Sequence, residues 1–314
     1  MFIHSIAHYL PQGRLTNAEL SELNGLSEDE IFKKAGIESR VKALPGEDSS
    51  TMGIAAVRNS LASLSYPIGE VDLVVGATYT PDDTIATLAH RVQKAFGIAG
   101  ARALTLSSAC SSAVNAVEVV EGYFATGKSR RALVVASEHN SAFNDEADRY
   151  AGHLWGDGAV ALHLSRERLS EDDLEVLDIS TLGLGDLGKG PEGVYLRVKE
   201  GVVRMPNGKD VFVNATQKMV EETAAILKRN GLDISQLDYM IPHQANTRII
   251  TKAVEKLGLP EEKALLAIRQ MGNTGCASAP IVLSMELSRF RKGELLVMTV
   301  FGGGYSCGSM LIRR

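Results

Sequence analysis

The sequence has little cysteine, and the three residues it has, Cys110, Cys276 and Cys307, stand far apart. An odd, scattered set builds no disulfide framework and lacks the paired spacing of a zinc site, which leaves at least one thiol as a candidate for chemistry. No run of lysine or arginine forms a basic stripe, and the net charge is -5. The footprint needed to hold a polyanion is missing, so nucleic acid is excluded as a partner. Long apolar runs are missing as well: no window approaches the roughly 20 residues that span a bilayer. The opening "MFIHSIAHYLPQGRLTNAEL" has neither the basic nor the apolar region of a signal peptide. A cytoplasmic protein without membrane contact is the expectation.

What is present fits a packed globular chain, with 45% apolar and 23% charged residues over 314 positions, a length that suits two halves. Continuous apolar runs at 71–78, 101–107, 131–137, 159–165, 237–243, 294–301 and 309–314 read as strands covered on both faces. Helical patterns lie between them, at 84–97, 216–230, 245–258 and 278–292, and from Ala113 to Phe124 with a stop at Gly127. Strands alternating with helices define an α/β class.

Two stretches repeat. "VDLVVGAT…LAHRVQKAFGI" matches "LDYMIPHQANTRIITKAVEKLGL" in order, and "ACSSAVNAVEVVEGYFATGKSRRALVVAS" matches "GNTGCASAPIVLSMELSRFRKGELLVMTV". Asp72 and Leu133 are 61 positions apart, Asp238 and Leu295 57. An internal duplication follows, with its seam in the charged stretch 165–178, giving an N-terminal half, 1–168, and a C-terminal half, 169–314.

Four places could carry chemistry. Cys110 sits where a strand gives way to a helix, among Ser107, Ser108, Ala109, Ser111 and Ser112. The free N–H groups of a helix start favour thiolate and would lower the thiol pKa below about 8.5, although most free cysteines are simply packed. His243, in "IPHQANTRII", ends an apolar strand where side chains project into a crevice. The other six histidines, His4, His8, His90, His139, His153 and His163, read as ordinary core or surface residues. Asn273, between two glycines in "GNTGCASAP", can offer an NH₂ donor to a cavity or serve as a helix cap. "FGGGYSCGS" places three glycines between two strands, as a backbone cradle for an oxyanion or a plain hairpin.

Taken in order, these motifs resemble the β-ketoacyl-acyl-carrier-protein synthase III family of thiolase-fold condensing enzymes. "GDGAVAL" at 156–162 adds to a likeness that runs from about residue 1 to residue 314. The resemblance implies a five-layered αβαβα thiolase-like fold of two similar halves, usually a homodimer, in fatty-acid or related specialised biosynthesis. It makes Cys110 the acyl-accepting nucleophile and His243 and Asn273 the residues that bind the thioester carbonyl of malonyl-acyl-carrier protein. Gly303 would supply an oxyanion N–H with Gly302 beside it, and Phe301 would face the malonyl carboxylate. Arg248 and Asn246 would face the phosphopantetheine mouth. No metal or redox cofactor is implied; acyl-coenzyme A or acyl-carrier thioesters enter as substrates, and acyl-carrier protein is the expected partner.

The sequence departs from the family pattern at the mouth. Glu30 and Lys34 stand where familiar members carry a tryptophan and an arginine for the coenzyme adenine. A lysine pair is reduced to Glu255 and Lys256, and Val213 stands at a carrier-facing lysine position. Ile85 replaces a phenylalanine that the partner subunit lends to the acyl pocket in many members, which suggests a longer or different acyl group. Two other readings stay open: an acyltransferase that passes the acyl group from Cys110 to another nucleophile or a β-keto acid, and a non-catalytic partner subunit. A papain-like cysteine hydrolase also pairs Cys with His and Asn, but buried strands and a duplication do not suit it.

Overall fold

The computed structural model describes residues 1–314. The first half runs β1 (Phe2–Tyr9), β2 (Gly13–Thr16), α1 (Asn17–Asn24), α2 (Glu28–Ala35), β3 (Ser39–Lys42), α3 (Ser49–Ser60), β4 (Leu73–Ala77), α4 (Leu88–Ala95), β5 (Arg102–Leu106), α5 (Ser112–Ala125), β6 (Arg131–Glu138) and β7 (Gly158–Ser165). The second runs β8 (Leu174–Gly183), β9 (Tyr195–Leu196), β10 (Val203–Arg204), α6 (Gly208–Arg229), β11 (Tyr239–Pro242), α7 (Thr247–Leu257), α8 (Ile268–Met271), α9 (Ser278–Met285), β12 (Leu295–Gly302) and β13 (Ser306–Arg313).

The order of strands repeats. Five strands of the first half lie as β1-β7-β6-β4-β5, and four of the second as β8-β13-β12-β11. In both sets the first two neighbouring pairs are antiparallel and the next is parallel. Where β5 has no counterpart strand, Ala264 makes a single parallel bridge to Met240, with Leu265 N–H on the Met240 carbonyl at 2.9 Å. The two sets join edge to edge through Phe2 opposite Glu175 and Ile3 opposite Leu174.

Helices stack on this frame in layers. Helices α3 and α4 cover the outer face of the first strands, and α6 that of the second, with α7 packed on α6 and sharing its hydrophobic cluster with Met240 and Val297 of the sheet. Between the two sets lie α5, touching β4 and β6 as well as β8 and β13, and α9, touching β1 and β7 as well as β11 and β12. That central layer explains the composition of α5. A helix held between two sheets needs small and branched apolar residues on both covered sides, and Ala113, Val114, Ala116, Val117, Val120 and Phe124 are all buried, while Glu121, Gly122 and Ala125 toward its end are exposed.

Some elements differ from the sequence reading. Strands β1 and β8 were not expected, because polar residues interrupt them: His4 bonds Asp173 at 2.7 Å, His8 bonds Ser284 at 2.9 Å, and β8 alternates buried with partly exposed positions. Helices α1 and α2 were also missed despite capping boxes of Thr16 with Glu19 and Ser27 with Glu30. The helix read over 216–230 begins at Gly208, and that over 278–292 ends at Met285, followed by a 3₁₀ turn at Leu287–Arg289. No helix is long and apolar enough to cross a membrane.

Buried histidines set the acid response of this fold. Burial holds His8 below the ordinary imidazole range, His153 and His243 to about 4, and His163 to about 3. Unfolded, these groups take up protons near pH 6.5, whereas folded they stay neutral. The unfolded chain therefore binds more protons between about pH 6.5 and 4, and stability falls as pH drops through that window. Glu138, which burial pushes up to about 7, and Glu121 and Glu222, which burial also raises, work in the opposite sense and offset part of this loss. We expect the urea midpoint at pH 5 to lie clearly below that at pH 7.5; an equal or higher midpoint would contradict the assignment.

Candidate active site

Strand β5 ends at Leu106, and the chain must turn within five residues to start α5. It does so with Ala109 at φ 49°, a left-handed conformation that costs a non-glycine residue and places Cys110 at the apex. The serines hold the turn. Ser112 Oγ accepts from Ser108 N–H at 2.7 Å, Ser306 Oγ donates to the Ser108 carbonyl at 2.8 Å, and Ser111 Oγ meets Ser306 Oγ at 2.7 Å. These small residues fasten the turn to β13 of the other half, a role beyond leaving room for substrate.

The glycine hairpin closes on this turn. A methyl group on Gly302 would sit 2.7 Å from Cys110 N and 3.0 Å from Ser111 N, both backbone atoms that cannot step aside. The amides of Gly303 and of Cys110 itself lean on the sulfur. Together they form a donor pair of the kind that receives a tetrahedral oxyanion. A Gly302→Ala variant is expected to lose about 100-fold in the rate of Cys110 acylation, since a 1 Å displacement of reacting groups costs that much. Time-resolved intact-mass measurement of the acyl adduct checks this; an unchanged rate would contradict the packing.

The thiol itself corrects the sequence expectation. Burial, reinforced by the negative field of Glu138, pushes Cys110 up to about 12, against the smaller pull of Tyr79 and the Gly303 and Cys110 amides. At neutral pH the resting group is a thiol, where the helix start had suggested a thiolate below 8.5. Glu138 was not anticipated. It is fully buried at the end of β6 and takes hydrogen bonds from the Thr78 and Thr80 hydroxyls at 3.1 and 2.5 Å. The available signal was a lone carboxylate closing the apolar run "LVVASE".

His243 follows β11 and is 3% exposed. Its Nδ1 meets Ser278 Oγ at 2.7 Å, while Nε2 has no partner in the chain. Gln244 beside it, unmarked in the sequence reading, is fully buried and pins the turn. Its NH₂ donates to the Pro242 and Leu265 carbonyls, and its Oε1 accepts from Ala267 and Ile268 N–H. Asn273 is held by its backbone, whose N–H donates to Leu154 at 2.8 Å and whose carbonyl accepts from Gly156 at 2.9 Å. Its Oδ1 accepts Gly275 N–H at 3.0 Å, which turns the NH₂ away and leaves it unpartnered. With α9 starting only at Ser278, Asn273 is no helix cap.

Cys110, His243, Asn273, Phe301, Gly302 and Gly303 line one narrow apolar tunnel of about 100 Å³. Asn246 also lines it, yet both its polar atoms are engaged: Oδ1 caps α7 at Arg248 N–H, 2.9 Å, and Nδ2 donates to the Lys34 carbonyl, 3.0 Å. The tunnel widens at Leu154, Met205 and Phe212 into a mouth of about 420 Å³ with Lys34, Lys209 and Arg248. On another side of Cys110, a cavity of about 250 Å³ runs past Tyr79 and Trp155 beneath the β9–β10 hairpin. Ile85 stands apart: it is 88% exposed and lines neither the tunnel nor this cavity. Glu30, at the position of the expected adenine platform, caps α2 by accepting from Ser27 N–H and Oγ, each at 2.8 Å.

The family model described as 3-oxoacyl-[acyl-carrier-protein] synthase III matches residues 104–183, and its C-terminal companion matches 227–314. The chain is 35% identical to the β-ketoacyl-[acyl-carrier-protein] synthase III of Sphingopyxis alaskensis over 97% of this chain and 96% of that protein. It is 33% identical to the synthase III of Bacillus pumilus, over 99% and 98%. The crystal structure of 3-oxoacyl-[acyl-carrier-protein] synthase III from Aquifex aeolicus superposes at TM-score 0.93 and 32% identity, covering 100% of this chain and 99% of that one. The priming β-ketosynthase of the R1128 polyketide pathway superposes at 0.90 and 28% identity, covering 99% and 95%. Fold and site together define a condensing enzyme of the thiolase fold. Within that class, the chain belongs to the β-ketoacyl-[acyl-carrier-protein] synthase III family.

Proposed function

We propose that the protein joins an acyl thioester to malonyl-acyl-carrier protein by decarboxylative Claisen condensation, in fatty-acid or related specialised biosynthesis. The observation that carries this reading is that Cys110, His243 and Asn273 line one tunnel, with His243 Nε2 and the Asn273 NH₂ left without partners in the chain. Acyl transfer comes first. The Cys110 sulfur attacks the donor carbonyl, the oxyanion rests on the Cys110 and Gly303 N–H groups, and the donor's sulfur departs with the thiol proton as a free thiol.

The malonyl thioester then enters with its carbonyl against His243 and Asn273. Breaking the carboxylate carbon–carbon bond releases CO₂ and leaves an enolate, whose charge the two donors meet as it develops. Phe301, buried and 4.9 Å from the Tyr305 ring, offers the carboxylate no hydrogen bond and so favours its loss. The carbanion attacks the acyl-Cys110 carbonyl, the carbon–sulfur bond breaks, and the released thiolate takes up one proton. The β-ketoacyl thioester leaves on the carrier.

The donor thioester is carried by coenzyme A or by a carrier protein, and the Lys34, Lys209 and Arg248 cations at the mouth suit either phosphate arm. The working unit is a homodimer: β5 is the open edge of the nine-stranded sheet, and a second copy pairing there would bring its own exposed Ile85 loop along. Three free thiols suit a cytoplasmic setting. The test is incubation with a panel of acyl donors and malonyl-acyl-carrier protein. CO₂ release matched by β-ketoacyl product supports the reading, and neither product with any donor removes it.

A further inference from the structure

The condensing chemistry needs His243 to present an N–H to the substrate, and an imidazole can carry its single proton on either nitrogen. What decides between them lies behind the ring. Ser278, the first residue of α9, is fully buried. Its hydroxyl oxygen accepts Gln244 N–H at 3.2 Å and stands 2.7 Å from His243 Nδ1. Gln244 is itself held by four hydrogen bonds, so its backbone N–H is a fixed donor.

A hydroxyl has one proton to give, and for Ser278 the acceptor within reach is Nδ1. Were Nδ1 protonated, two N–H groups would face the same oxygen and the hydroxyl proton would have no acceptor in a site closed to water, an arrangement that buried polar groups avoid. Burial keeps the ring neutral at pH 7, so there is only one imidazole proton to place. We infer that Ser278 is a positioning residue that fixes His243 as the Nε2–H tautomer, making it a donor to the substrate carbonyl and not the base that takes the Cys110 proton. Asn273 is oriented in the same manner by Gly275 N–H. The short run from Asn273 to Ser278 thus aims both donors into the tunnel, one directly and one through a neighbouring strand end.

The catalytic consequence rests on the condensing reading proposed above; the tautomer does not. The test therefore has two arms. In the first, long-range proton–nitrogen NMR on protein labelled with ¹⁵N-histidine, with His243 assigned through a His243→Gln variant, should show a bare nitrogen at Nδ1 and a protonated one at Nε2 at pH 7. A protonated Nδ1 would overturn the inference. In the second, Ser278→Ala should lower malonyl decarboxylation about 10- to 100-fold, the usual cost of losing an outer orienting partner, while Cys110 acylation stays within about twofold. Ser278→Thr, which keeps the hydroxyl, should restore most of the loss. Decarboxylation at the parental rate in Ser278→Ala, or equal losses in both half-reactions with a lowered melting midpoint, would reduce Ser278 to scaffolding. If the parent decarboxylates no malonyl thioester at all, the condensing reading fails while the NMR arm still decides the tautomer.

Discussion

A Cys110→Ala enzyme should form β-ketoacyl product at least about 10³-fold more slowly than the parent, at or near background. The acyl group would have no covalent resting place, and nothing else in the tunnel can supply one: Cys276 and Cys307 are both buried, and neither lines it. The same variant should continue to release CO₂ from malonyl thioester, because His243 and Asn273 are untouched. Product formation measured beside CO₂ release therefore separates the two half-reactions. A variant that still condenses at a tenth of the parental rate would show that Cys110 is not the acyl carrier.

The converse loss is expected at the other two groups. His243→Ala and Asn273→Ala should each reduce decarboxylation by about 10²- to 10³-fold, the range seen when one donor is removed from a developing oxyanion. The two act on one enolate oxygen, so the double variant should lose less than the product of the single losses. Acylation of Cys110 should survive in all three, because its oxyanion rests on the Gly303 and Cys110 amides. Rates of CO₂ release and adduct formation, taken on the same preparations, check both statements. If Asn273→Ala formed product at the full rate, enolate chemistry would be set aside in favour of simple acyl transfer to another nucleophile.

The site was legible in the sequence for a physical reason. A side chain at the apex of a tight strand-to-helix turn demands small neighbours, and a close backbone approach demands glycine, so Cys110 and Gly302 announce themselves by what surrounds them. The β-strands sandwiched between helix layers were equally plain, since burial on both faces writes an unbroken apolar run such as "RALVVAS". Strands β1 and β8 were hidden because they spend positions on polar partners that are distant in sequence; His4 and Asp173 are 169 residues apart. The ionisation of Cys110 was hidden likewise. Local geometry at a helix start argues for a thiolate, but the resting state is set by enclosure and by Glu138, which arrives from another strand. Gln244 and Ser278 carry no signature of their own, since a hydrogen-bonded glutamine or a helix-opening serine looks the same wherever it occurs.

The mouth is where, from its sequence, this chain is expected to depart from the family pattern. Glu30 is committed to capping α2, so it offers no flat surface for an adenine ring. Asn246 is committed to capping α7 and to holding Lys34. What the mouth presents to solvent is therefore the cations Lys34, Lys209 and Arg248, leading to the apolar tunnel walls.

A pulse and chase on the intact protein tests the central claim most directly. Exposure to an acyl thioester should raise the mass by one acyl group, located by digestion on the peptide that contains Cys110, and addition of malonyl-acyl-carrier protein should return the mass to its starting value with one CO₂ and one β-ketoacyl thioester per adduct. An adduct elsewhere, or one that malonyl-acyl-carrier protein leaves in place, would contradict the account.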